Sequence, residues 1–335
     1  MIPANNRLDT ELTGLLGIKY PIICGAMYPC SNPELVAAVS EAGGIGVVQP
    51  MSLTYVYGYD YREGLRYIRS LTDKPIGVNM LVEGSNATYR HRLEDWMEIS
   101  VEEGVEFFVT CLGNPRWVVE KASTIGATVF HDVTNVKHAR KALDNGVDGF
   151  ICVNDRAGGH AGHLGTQKVF DEVSSLGKPV VCAGGVSSGE AFRDALNMGY
   201  CGVQMGTRFI ATKEAAAHSD YKNAIVNAGE QDIVLTEKIS GVPVSVISTP
   251  YIERMGTKAG WFAKRMLKGR KTKHWMRMFY SVMSAIKLKK SNLKGGNYKD
   301  FWQAGKSVEG IDSVVSVAEV IEELVTHNPV HETVI

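Results

Sequence analysis

Short apolar runs, rich in β-branched residues, recur along the chain, and segments with apolar positions at helical spacing lie between them. The runs are Tyr20–Cys24, Ile45–Gln49, Pro75–Asn79, Glu106–Cys111, Thr128–His131, Gly149–Val153, Pro179–Ala183 and Gly202–Met205. Nearly continuous apolar runs of this length read as strands buried on both faces, as in a parallel sheet. The spacing predicts helices over Pro33–Glu41, Asp60–Ser70, Arg90–Glu103, Pro115–Thr124, Asn135–Asp144, Thr166–Ser175, Ser188–Asn197 and Lys213–Ala228. Asn32 stands at an N-cap position with Pro33 first in the helix, and Gly43, Gly146 and Gly199 follow helix ends.

Eight strand–helix units point to a TIM (β/α)8 barrel. A doubly wound open sheet is the competing architecture, but no Gly-rich dinucleotide turn follows the first run. The expected organisation is a barrel over residues 1–235, a basic helical insertion or lid over 236–300, and a segment 301–335. In that last segment a helix near Ser316–His327 packs back on the barrel. In such a barrel the chemistry belongs at the C-terminal ends of the strands.

Composition narrows the function classes. With 335 residues, 44% of them hydrophobic and 21% charged, the chain can bury a large core and is not disordered. Lys+Arg and Asp+Glu balance at 36 each, which removes any global argument for nucleic acid as a partner. Met1–Thr13 is polar, unlike a signal peptide, and no stretch approaches the ~18 apolar residues of a spanning helix. The six cysteines form no Cys-x-x-Cys pair and lie mostly in strand-like runs, as expected of reduced, packed thiols in a cytoplasmic protein. Their spacing offers no metal site.

The charge is unevenly placed. Residues 254–294 carry thirteen Lys and Arg and no Asp or Glu, interleaved with Trp261, Phe262, Trp275, Met276, Phe279 and Ile286. One or two basic amphipathic helices are expected there. Three readings stay open: a lid or an oligomer contact such as a homodimer, a surface for an acidic partner or anionic lipid, and a mouth that steers an anionic substrate.

The sharpest chemical signal is Ala157-Gly158-Gly159-His160-Ala161-Gly162, directly after the sixth run. Paired glycines allow close backbone approach and expose N–H donors, and a histidine beside them can act as acid or base near neutral pH. A His160–His163 metal pair lacks a carboxylate or cysteine to complete it. Ala183-Gly184-Gly185 after the seventh run and Met205-Gly206-Thr207 after the eighth make a phosphate cradle of backbone N–H groups and a hydroxyl. Gly25-Ala26-Met27 and Asn79 suit a flat aromatic ring with polar edges. Together these describe a site for a planar, phosphorylated cofactor.

These motifs, with Gly17-Ile18-Lys19-Tyr20-Pro21-Ile22-Ile23, Gly77-Val78-Asn79 and Gly202-Val203-Gln204-Met205-Gly206-Thr207-Arg208-Phe209, resemble the nitronate monooxygenase (2-nitropropane dioxygenase) family of FMN-dependent barrels. The resemblance implies non-covalent FMN. Ala26 and Met27 would lie against the ring, Asn79 at its polar edge, and Ala157 and Gly158 beside it. Gly184, Gly185, Met205, Gly206 and Thr207 would lie around the ribityl phosphate. Asp132 falls where relatives often place a flavin contact. His160 would be the catalytic residue, stabilising a nitronate when protonated or abstracting an α-proton when neutral. The implied reaction is oxidation of a small-molecule nitronate or nitroalkane by O2 to a carbonyl compound and nitrite. Ala161, where some relatives carry a larger basic residue, and the basic segment keep open an NAD(P)H-dependent flavin reductase acting on a quinone or an enoyl thioester. A third alternative is a flavin-binding interaction protein.

Overall fold

The computed structural model describes residues 8–82, 87–238, 243–258, 288–290, 292–293 and 301–326. Eight parallel strands close into a barrel in sequence order: β1 (Ile22–Cys24), β2 (Ile45–Val48), β3 (Ile76–Leu81), β4 (Phe107–Cys111), β5 (Thr128–Val133), β6 (Gly149–Val153), β7 (Val180–Ala183) and β8 (Gly202–Met205). Closure is made by β1 against β8, with Ile23 opposite Gln204. This is the TIM-barrel architecture expected from the pattern, and the open-sheet alternative falls with it.

Two apolar layers hold the barrel. Ile23, Ile45, Val47, Phe107, Val109, Phe130, Ile151 and Val181 point inward and fill the lower lumen. Phe107 and Phe130 meet edge to face at 5.7 Å. A Cβ at Gly77 would lie 2.7 Å from the Phe107 ring and one at Gly149 2.4 Å from that of Phe130, so the two inward glycines make room for the rings. The helix Glu11–Leu16, capped by Thr10, plugs the bottom with Leu12 and Leu16. The second layer lies between the strands' outer faces and the surrounding helices.

Helix boundaries follow the sequence pattern closely, as at Pro33–Glu41, except in two places. Asn32 occupies the N-cap position, but its side chain makes no capping bond. Its amide donates to Glu34 and to the Glu214 carbonyl, and its oxygen accepts from the Ala216 N–H. These bonds hold 214–216 in a bent, non-helical path. The expected helix Lys213–Ala228 is therefore shortened to Ser219–Asn227, preceded by the single turn Thr207–Ile210. The second departure is an antiparallel hairpin, β9 (Ile233–Thr236) with β10 (Val244–Ile247): β9 lies at the end of the expected barrel segment, where no strand is expected, and β10 lies in the expected helical insertion. Most of the basic segment 254–294 lies outside the described residues. The helix Val317–Thr326 packs on the barrel's outer layer through Val317, Val320, Ile321 and Leu324.

Candidate active site

The lumen changes character toward the strands' C-terminal ends. By the two-residue alternation that places Ile23, Val47, Gly77, Val109, Phe130 and Gly202 inside, the next inward positions are Gly25, Gln49, Asn79, Cys111, Asp132 and Gln204. An apolar plug is thus topped by a layer that is polar along β2 to β5 and at β8, while Val153 and Ala183 keep it apolar on β6 and β7. The Cys111 thiol faces Asn79 Oδ1 at 3.7 Å. Gly25 leaves space for Gln204, whose side chain would stand 3.0 Å from a Cβ there. Among the described residues, Asp132 Oδ1 and Gln204 Oε1 are buried with no hydrogen-bond partner. A buried polar atom without a partner is costly, and its usual explanation is a ligand or water that it serves.

Around this layer the expected residues form one rim. A Cβ at Gly206 would lie 3.3 Å from Met27 Sδ, and one at Gly158 would lie 3.4 Å from Thr207 Oγ1. A Cβ at Gly184 would lie 2.7 Å from the Ala157 nitrogen. Ala26, Met27, Ala157, Gly158, Gly184, Gly185, Gly206 and Thr207 therefore follow one another across the tips of β1, β8, β6 and β7. Met205 is the exception. With Gln204 inward its side chain turns outward into the helix-facing core, and only its carbonyl reaches the rim, accepting from the Gly25 N–H at 3.0 Å. Gln204, one residue earlier, is the inward side chain.

The glycine tips are held from behind. Asn154 is fully buried. Its oxygen accepts from the Arg156 N–H at 2.9 Å, and its amide donates to the Gly184 carbonyl at 2.9 Å and to Thr166 Oγ1 at 3.1 Å. One side chain thus ties the loop after β6 to the loop after β7. On the other side the Ser245 N–H of β10 donates to the Gly159 carbonyl at 2.7 Å, and the Gly305 N–H donates to Thr207 Oγ1 at 3.0 Å. Gly158 is pressed against the backbone of Ala304 and Gly305, so protein packing already requires the missing side chain there. Arg156 and Lys306 both pair with Glu230, which closes the clasp. Among the described residues, the N–H groups of Gly184, Gly185, Gly206 and Thr207 find no acceptor. Unpaired N–H groups on two adjacent strand tips make an anion nest.

Electrostatics separates His160 from Asp132. His160 is exposed, yet the walls of the mouth desolvate it enough to hold its pKa below the ordinary imidazole value. Its neutral form is favoured at neutral pH. Burial pushes the Asp132 carboxyl up to about 7 from 3.8, so it is largely protonated below neutrality and able to donate a hydrogen bond. Because the folded value is raised, folding holds a proton that the unfolded chain releases. The associated stability is greatest below the ordinary carboxylate value and falls as pH rises from there through about 7. Asp132→Asn should therefore stabilise the flavin-free protein relative to wild type at about pH 8 and not at about pH 4. Chemical denaturation at the two pH values checks this; equal differences at both would contradict it.

The rim fits a phosphorylated planar group. The nest suits a phosphate, and the orphaned Asp132 and Gln204 oxygens suit the polar edge of a ring over the lumen. Among the described residues, no group of three His, Cys, Asp or Glu side chains could hold a metal, and all six cysteines are free thiols. No helix among them is long and apolar enough to cross a membrane. Gln49, Asn154 and Gln204 escape the motif reading. The signal for Gln49 and Gln204 is a polar residue at an inward position near a strand's C-terminal end.

Three comparisons bear on this rim. A model of the nitronate monooxygenase family matches residues 9–327. A (3aS,4S,5R,7aS)-5-hydroxy-7a-methyl-1-oxo-octahydro-1H-indene-4-carboxyl-CoA dehydrogenase of Mycobacterium tuberculosis is 29% identical over 95% of this chain and 96% of its own. A probable nitronate monooxygenase of Staphylococcus saprophyticus is 30% identical over 74% of this chain and 81% of its own. The structure of FabK from Thermotoga maritima superposes with a TM-score of 0.78 at 30% identity, covering 94% of each chain.

Proposed function

We propose, because the chain belongs to the nitronate monooxygenase family of flavin-dependent oxidoreductases, that it is an FMN-dependent oxidoreductase acting on an acyl thioester of coenzyme A type. The observation that carries this reading is where the basic segment is anchored. Leu288 joins Val244, Val246, Ile252 and Phe301 in an apolar cluster that also takes in Tyr28, after β1, and Met255. Lys289 Nζ donates to the Tyr55 carbonyl, after β2, at 2.7 Å, and the Asn292 carbonyl accepts from the His218 N–H at 2.8 Å. Both flanks of a stretch with thirteen cations and no acid are thus seated at the strands' C-terminal rim. A cationic stretch anchored in this way favours a substrate that carries several phosphate charges. The thioester relative supports the reading by aligning over nearly the whole chain, the basic segment included.

FMN, when bound, would supply the two-electron chemistry. Gly184, Gly185, Gly206 and Thr207 would hold its phosphate, and Asn79, Asp132 and Gln204 would meet its ring. His160, neutral at physiological pH, is suited to take the α-proton of a carbon acid activated by a thioester carbonyl. Its charge state is less suited to binding a preformed anion, the other role open to it from sequence.

A second reading, oxidation of nitroalkanes or nitronates by O2, is supported by the Staphylococcus relative and by the same base, since a neutral nitroalkane is also a carbon acid. Rapid anaerobic mixing of FMN-loaded protein separates the two. Bleaching of the flavin by a saturated acyl-CoA, or reoxidation of chemically reduced flavin by an enoyl-CoA, is the expected result. Bleaching by a nitronate with no response to either thioester would overturn the first reading in favour of the second. NADH and NADPH in the same series identify any nicotinamide donor.

A further inference from the structure

Leu112 follows Cys111, the last inward residue of β4, and so stands on the rim beside the polar layer. Its backbone is left-handed, with φ 60°, and no other non-glycine residue among the described residues has a positive φ. In that conformation an L-residue's Cβ crowds the following carbonyl oxygen, so glycine or asparagine is the usual occupant. The turn leaves little choice of path. Gly113, also left-handed at φ 30°, is pressed so closely on Val82 that a Cβ would stand 1.9 Å from the Val82 carbonyl oxygen. Two successive left-handed residues carry the chain off β4. The second is glycine and the first is leucine.

Packing does not compensate that strain. Leu112 is 60% exposed and belongs to none of the apolar clusters among the described residues. A single exposed leucine is ordinary, as Leu15 and Leu71 show. A strained one at the mouth of a site is not, because strain persists where function requires the side chain. Position in the barrel says what it would meet. The phosphate nest lies on β7 and β8, and β3 and β4 lie across the closed barrel from it.

We infer that Leu112 is a specificity-determining residue, forming the apolar wall on the β4 side of the mouth against which the substrate's acyl group lies. The inference rests on the thioester reading for the chemical class of that group. It is tested with FMN-loaded wild type, Leu112→Gly and Leu112→Asn on acyl-CoA thioesters of increasing chain length. The ratio of kcat/KM for the longest to that for the shortest acyl chain should fall about tenfold in both variants, the scale of losing one to two buried methylenes. The thermal midpoint should stay level or rise, since both replacements tolerate the left-handed backbone. An unchanged ratio, or a uniform loss at every chain length with a lowered midpoint, would overturn the inference. If wild type turns over no thioester, the substrate reading fails separately. The wall is then judged by the same ratio on nitronates of increasing alkyl length.

Discussion

His160→Ala should yield a protein that still binds FMN stoichiometrically but turns over about a hundred- to ten-thousandfold more slowly, the range for loss of a positioned general base. Retention is expected because the nest and the polar layer do not involve the imidazole. The base role also fixes the sign of the pH dependence. Desolvation holds His160 below the ordinary imidazole pKa, so kcat/KM should climb as pH rises through a value under 6.5 and then level off. In His160→Ala that ascending limb should vanish. An imidazolium that anchors an anion would give the reverse slope, with activity lost as pH rises. Flavin absorbance of the purified variant, with its pH–rate profile, checks both halves.

Gly184→Val should give a protein with no bound flavin. The backbone at Gly184 has φ 117°, a region that L side chains rarely adopt. A Cβ there would lie 2.3 Å from Asn154 Oδ1 and 2.7 Å from the Ala157 nitrogen, so a side chain breaks the tie between the loops after β6 and β7. Both walls of the nest then move. Gly185 has the same kind of backbone, φ 81°, but its Cβ would meet the Arg156 side chain, 2.7 Å away, and not the space facing a phosphate. Gly185→Val should thus weaken FMN binding by shifting Arg156 off Glu230, and less severely than Gly184→Val. Equilibrium dialysis against FMN ranks the two variants. Equal, wild-type affinity in both would remove the nest from the phosphate site.

The barrel was legible because each inward and outward position on a doubly buried strand must be apolar, which leaves a run that no surface element imitates. Gly149–Val153 and Gly202–Met205 show it, with pattern and strand ending at the same residues. The rim was legible where glycines mark strand tips, as at Gly184 and Gly206. What escaped depends on contacts distant in sequence. The hairpin of β9 and β10 exists because Gly159 and Gln303 offer it edges to pair with, and nothing local to Ile233–Thr236 announces them. The bonds from Asn32, after β1, to Glu214 and Ala216, after the adjacent β8, shorten a helix from 182 residues away in sequence. Asn154 lies two residues before the eye-catching Arg156-Ala157-Gly158, and its importance appears only when β7 is beside it. Which of Gln204 and Met205 faces inward depends on the register of β8 against β1, which the sequence alone does not carry.

The proposed function requires a flavin lying across this rim with His160 on its open face. Crystals of the protein titrated to equivalence with FMN test that most directly. The phosphate is predicted on the N–H groups of Gly184, Gly185, Gly206 and Thr207, the ring's polar edge near Asn79, Asp132 and Gln204, and the His160 imidazole above the ring. Density for FMN elsewhere on the chain, or a bound ring whose exposed face His160 does not reach, would contradict it.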